Sequence, residues 1–283
     1  MKRGVVGREP RAARRRTPRP VRAGKQAAGT PARRTRAARS ASPSRILAID
    51  IGGTSLKLLV TGETEPRHLP SGKRLTPATM VESTLAAAGE WQFDAVSIGY
   101  PGLVGQQGPS SEPGNLGPGW VGFNFAAALD RPVRIINDAA MQALGSYEGG
   151  RMLFLGLGTG VGSALIAQNV IVPLELGGLP WGRRALFRVL GREGLKRDGL
   201  RAWRQAVEDA VEVLTAAFCV DYVVLGGGNA KRFKRQIRGA RISNNLAAFR
   251  GGFRLWNVPD VPTLSAEDHD PSEVPVQAGW RVI

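Results

Sequence analysis

Cysteine is nearly absent from this chain. A single one, Cys219, excludes an intrachain disulfide and any zinc site built on several thiolates. Its setting, "LTAAFCVDYVVL", reads as a helix running into a strand, so the thiol is expected to be buried in packing. A chain so poor in thiols suits a reducing cytoplasm. Long apolar runs are missing too: none approaches the roughly 20 residues that a membrane-crossing helix needs. The N-terminal stretch has no apolar core of the kind that marks a secretory signal. The expected location is therefore cytoplasmic, with no membrane partner.

Acidic residues are scarce, but only in one place. The formal net charge of +16 suggests a nucleic-acid partner, and its distribution weakens that reading. Residues 1–44 hold 14 Lys and Arg against one acid, whereas the other residues hold 25 against 22. The tail is built from Arg, Ala, Pro, Gly and Thr, with almost nothing large and apolar to bury. Such a segment cannot offset its ordering entropy and is expected to be disordered. It can meet a polyanion through phosphate contacts without reading bases. Nucleic acid is thus not an expected partner, apart from non-specific contact through this tail.

What is present is a folded body with a repeated logic. "RILAIDIG" and "TSLKLLVTG" read as two strands joined by a Gly-Gly turn. Residues 76–90 read as a helix with Thr76 as cap and Pro77 in the first turn. "FDAVSIGYPGLV" is a strand, "GWVGFNFAAALDRP" a loop entering a short helix, and "VRIINDAAMQALGSY" a strand followed by a helix. "RMLFLGLGTGVGSALIAQN" then repeats strand, glycine turn, strand. Residues 183–218 are helical in pattern, with Leu200, Trp203, Val207, Val211, Leu214 and Phe218 on one face. "DYVVLGGGNAKRFK" reads as a strand, a glycine turn and a helix start, and the Pro- and acid-rich end as loop. The division that follows is a basic tail at 1–44, α/β lobes at 45–140 and 141–256, and a terminal segment at 257–283. A single dinucleotide-binding domain is excluded, because its glycine fingerprint joins a strand to a helix and here both neighbours are strands.

Several clusters point to phosphate and sugar chemistry. In "DIGGTSLK", Gly52 and Gly53 let backbone amides approach a ligand, Thr54 adds a hydroxyl and Lys57 a charge. Asp50 sits inside an apolar strand, where a carboxylate needs a partner; it is suited to orienting hydrated Mg²⁺ held by phosphates. The plain alternative is a Gly-Gly hairpin with a solvent-facing lysine. "GLGTGVG" offers Gly158, Thr159 and Gly160 as a second phosphate turn, weak alone and stronger when paired with the first. Gly226, Gly227 and Gly228 end a strand where a nucleotide can lie against bare backbone, or where the chain simply turns. Asp138, at a strand-helix junction, is a candidate base for a sugar hydroxyl or a helix cap, and Asn137 a positioning group. Glu175 suits capture of vicinal hydroxyls, and Asn115, Trp120 and Asn124 share a turn-rich loop that could hold a polyol.

Taken in order over residues 45–255, "DIGGTSLK", "INDAAMQALG", "GLGTGVGSAL" and "GGGNAK" resemble the ROK family of sugar kinases and regulators, and within it the polyphosphate glucokinase branch. The resemblance implies a two-lobed, actin-like (ribonuclease H-like) α/β fold, each lobe a mixed sheet flanked by helices around a cleft. It implies Mg²⁺-dependent transfer from ATP or polyphosphate to a hexose, glucose first, and a homodimer. Asp138 would then be the base, Asn115, Asn137 and Glu175 the sugar ligands, and Asp50 the Mg²⁺ organiser. Gly52, Gly53, Thr54, Gly158, Thr159 and Gly160 would surround the phosphate. There are departures. Gly178 stands where the family often has a sugar-binding histidine, and the Cys-rich zinc motif is absent, with His68 and His269 too few to replace it. Residues 1–44 cannot form the winged helix of the family's repressors. The other readings are a kinase of another hexose, a non-catalytic sugar- or nucleotide-binding protein of kinase ancestry, and, resting on the tail alone, a nucleic-acid-binding module.

Overall fold

In the computed structural model, the described residues are 43–235, 237–244, 246–256 and 280–283. The predicted tail thus lies outside them except for Pro43 and Ser44, as does the C-terminal segment except for its last four residues.

The first sheet is built from β1 (Ile46–Ile51), β2 (Ser55–Val60), β3 (Arg67–Pro70), β4 (Ala95–Tyr100) and β5 (Val133–Asn137), in the order β3-β2-β1-β4-β5. Helix α1 (Pro77–Ala88) starts on Thr76, whose hydroxyl accepts from Thr79 N, and α2 (Phe125–Leu129) precedes β5. β1 is buried along its whole length because it has a neighbour on each side and packing on both faces. Its alternation decides what faces where. Leu47, Ile49 and Ile51 join a cluster with Met80 and Val81 of α1, while Ala48 packs with Leu59 and Phe249 on the opposite face. Asp50 shares the parity of Ala48, so it points to that second face. Full burial of each such side chain contributes about 1.5–3 kcal/mol.

Helix α3 (Asp138–Ser146) leads into a second sheet of β6 (Met152–Leu157), β7 (Val161–Ala167) and β8 (Val170–Leu174). Helices α4 (Leu186–Leu190) and α5 (Arg192–Ala217) follow, then β9 (Tyr222–Gly226), β10 (Ala240–Ile242), α6 (Ala247–Arg254) and β11 (Arg281–Val282). The strand order is β10-β9-β6-β7-β8-β11. Leaving β11 aside, the two sheets have the same plan: an antiparallel meander of three strands, then two strands added in parallel beside the first. The two-lobed α/β fold expected from the sequence is the fold observed.

Helix α6, from the end of the chain, returns to the first sheet. Ser97 Oγ of β4 donates to Gly252 O at 2.6 Å. Contact between α3 and α6 requires glycine on both: a Cβ on Gly145 would lie 1.7 Å from Ala247 O, and one on Gly251 would lie 1.8 Å from Met141 O. The two helices thereby hold the sheets around a shared middle layer.

Three local expectations are corrected. Cys219 is exposed, not buried, because it adopts φ +50° just after α5 and turns its side chain outward. The segment after β9 forms only a short 3₁₀ turn, Ala230–Arg232, since Asn229 N is drawn back to Leu157 O at 3.0 Å. The helix over 183–218 is interrupted: α4 ends at Gly191, and α5 breaks its helical geometry at Gly199, φ +75°. Trp203, Val207, Val211 and Leu214 are buried as the spacing requires, but Leu200, beside that break, is exposed.

Candidate active site

Asp138 is the first residue of α3, and Asn137 caps that helix. The Asn137 side-chain oxygen accepts from Ala139 N at 3.0 Å and Ala140 N at 3.1 Å, and its amide donates to Gly102 O at 3.2 Å. Both ends of this side chain are thus used to fix the junction of β5 and α3. Asp138 Oδ1 accepts from Ala139 N at 2.8 Å. The carboxyl is pushed up to about 7, first by burial, then by the negative charges of Asp50 and Glu175; the Ala139 amide opposes the shift. A carboxyl that titrates near neutrality is suited to accepting a proton there.

A cavity of about 610 Å³ opens over this residue. Both glycine turns line it: Gly53 and Thr54 from the β1–β2 hairpin, and Gly158, Thr159 and Gly160 from the β6–β7 hairpin. Asn115, Asn137 and Glu175 line it as well. Asn115 is laid over the first hairpin, where a Cβ on Gly53 would be 2.3 Å from Asn115 Nδ2. The loop that carries Asn115 is gathered by Glu112, whose carboxylate accepts from the amides of Gly119, Trp120 and Val121 at 3.0–3.2 Å. Glu175 is flanked by Ser163, which donates to Leu174 O at 2.7 Å and accepts from Leu176 N at 3.1 Å. Gly162 allows α3 to sit against the second hairpin: a Cβ there would be 2.8 Å from Ala139 Cβ.

A second cavity, about 540 Å³, shares Gln142 and Gly227 with the first. Asp50 and Lys57 face this second space, as does Gly228. Lys57 Nζ donates to Asp50 Oδ2 at 2.9 Å, so the aspartate inside β1 has its partner across the hairpin, where the two residues are in register. Gly52 and Gly226 line neither cavity. Gly52 makes the turn, its amide bonding Ser55 O at 3.0 Å, and Gly226 leaves room for Phe154, whose ring a Cβ would meet at 2.3 Å. The polyol reading of Trp120 and Asn124 is overturned. Trp120 is fully buried with Nε1 donating to Gly117 O at 2.7 Å, and Asn124 caps α2 through Ala127 N at 3.0 Å. Gln142 and Arg192, both lining the first cavity, were not singled out as site residues from the sequence. Gln142 carried a signal, since it lies four residues after Asp138 on the same helix face; Arg192 carried only that of the basic run "WGRRALFRVLGREGLKR", which suits a long polyanion or a solvated helix face and does not single out one arginine.

Mg²⁺ prefers oxygen ligands, keeps several waters, and binds through one or two carboxylates plus substrate phosphates. Among the described residues no group of three metal-ligating side chains occurs. Asp50 and Asp138 are close enough for the charge of one to raise the other. That donor set fits an ion carried mainly by phosphate oxygens and water, and does not form an all-protein cage. Among the described residues no helix is long and apolar enough to cross a membrane.

The profile of the ROK family matches residues 46–173. A polyphosphate glucokinase of Mycobacterium leprae is 28% identical over 221 residues, covering 69% of this chain and 67% of the relative. A bifunctional enzyme NanE/NanK of Brucella melitensis is 32% identical over 150 residues, covering 48% of this chain and 29% of that protein. Among solved structures, the inorganic polyphosphate/ATP-glucomannokinase of Arthrobacter sp. strain KM superposes with a TM-score of 0.62 at 25% identity, covering 75% of this chain and 97% of the other.

Proposed function

We propose, from the premise that this chain belongs to the ROK family of sugar kinases, that it moves a phosphoryl group from polyphosphate or ATP to a hexose hydroxyl, with glucose to glucose 6-phosphate as the leading reaction. One observation carries the reading: two glycine hairpins from two different sheets and the Asp138 carboxyl line a single cavity. Phosphoryl transfer asks for positioning and charge stabilisation, with a base to take the hydroxyl proton.

In this reading the sugar lies among Asn115, Asn137 and Glu175. Asp138 takes the proton of the attacking hydroxyl, with its carboxylate oriented by the Ala139 amide. Backbone amides and hydroxyls of the Gly53–Thr54 and Gly158–Gly160 turns receive the transferred group. Mg²⁺, held on the Asp50 side by phosphate oxygens, would neutralise part of their charge. The donor extends through the Gln142–Gly227 boundary into the second cavity, whose wall includes Gly228 and Lys231. A homodimer belongs to the same reading and is checked by sedimentation.

A kinase of another hexose is kept as a second reading, because a Cβ at Gly178 would meet nothing within 4 Å. The side chain that family members often place there is missing, and the bifunctional relative matched above carries a different name from the glucokinases. The test is a transfer screen offering ATP or polyphosphate with a panel of hexoses and amino sugars. Wild type should turn over, and Asp138→Asn should lose roughly 10²–10⁴ in kcat while still binding sugar. No turnover with any pair would favour a binding protein of kinase ancestry instead.

A further inference from the structure

The charge balance of the first cavity carries one more assignment. Its charged lining residues are Asp138, Glu175 and Arg192. Lys57, the cation to which the sequence drew attention, is engaged with Asp50 and faces the second cavity. A phosphoryl group entering the first cavity meets two carboxylates, and like charges at close range repel it unless a cation intervenes.

Arg192 is the cation available there. Its backbone is fixed to the second hairpin: Arg192 N donates to Gly158 O at 3.0 Å. The preceding Gly191 lies so close that a Cβ would be 2.7 Å from Thr159 O. The guanidinium, in contrast, is exposed and has no hydrogen bond or ion pair among the described residues. Arg188 and Arg197 on either side are both paired with Glu193. Arg192 also occupies the first turn of α5, where the helix dipole disfavours a cation and Gly191 provides no side-chain cap. Helix stability therefore gives no reason for an arginine here, whereas an anion in front of it does.

We infer that Arg192 grips the phosphate at the β6–β7 hairpin, its planar fork donating to two phosphate oxygens across from Asp138. This rests on the reading that a phosphate donor enters the first cavity. Tripolyphosphate is the probe, titrated calorimetrically into the full chain at low salt. Arg192→Gln should weaken its binding by roughly 10- to 100-fold, Arg192→Lys should keep part of it, and the melting temperature should stay unchanged. In the transfer assay Arg192→Ala should lose kcat with the sugar KM held, and added guanidinium should restore part of the rate. Equal tripolyphosphate affinity in wild type and Arg192→Gln, or no binding to wild type, overturns the assignment. If binding depends on Arg192 but wild type phosphorylates no sugar, the grip stands and the kinase reading falls. If wild type phosphorylates and tripolyphosphate ignores Arg192, the reverse holds.

Discussion

The β1–β2 and β6–β7 hairpins occupy the same place in sheets of the same plan, yet they do different work. One pair in from the first turn, Asp50 faces Lys57; one pair in from the second, Gly156 faces Gly162. The first hairpin brings charge to the middle layer, and Asp50 helps raise the Asp138 carboxyl. The second brings the absence of side chains, and Gly162 lets α3 lie on the sheet with Asp138 at its start. A duplicated strand-turn-strand unit thus serves electrostatics in one lobe and close approach in the other.

The comparison can be broken most sharply at Gly162. A valine there forces α3 outward at Ala139, the neighbour of Asp138; transfer should fall by about 100-fold and unfolding free energy by roughly 1–3 kcal/mol, read by kinetics and urea melts. Retained activity would mean that close approach is not what the second hairpin supplies. Next in size is Lys57→Gln, which leaves the charge of Asp50 uncompensated. It should move the acid limb of the pH-rate profile above that of wild type, because more negative charge beside Asp138 holds its proton longer. A limb left in place would separate the first hairpin from the base. The smallest effect is expected at Gly178→His. Space is open there, so the melting temperature should not change, while the KM for glucose should fall several-fold in a titration of initial rates; a rise would point to a bulkier acceptor.

Much of this was legible in the sequence, for identifiable reasons. Strands with apolar alternation, the Thr76 cap and the strand-helix junction at Asn137 follow from local rules that the structure obeys. The gathering of Asn115, Asp138, Glu175 and both glycine turns around one cavity was foreseeable only through motif order, because the residues are far apart in the chain. Helix α6 was not legible: "AAFRGGFR" has two glycines that weaken a helix, and it forms because those glycines permit contact with α3. β8 was hidden by Pro173, which argues against a central strand. The indole of Trp120 was misread because a buried aromatic and a sugar platform look alike in one dimension.

The raised carboxyl also sets a stability trend. The folded chain keeps a proton on Asp138 up to about 7, whereas the unfolded chain loses it near 3.8, so this group's contribution to stability falls as pH climbs between those values. Asp138→Asn should remove that trend.

The most direct test is the pH dependence of kcat/KM for hexose phosphorylation by the wild-type chain between pH 5 and 9, with Asp138→Asn alongside. The rate should rise through a limb near the value of about 7 set by the site and then level, and the variant should be nearly inactive throughout. A wild-type rate already flat at pH 5, or a variant that keeps the wild-type rate, would contradict a base held at neutrality by burial and by the charge of the first hairpin.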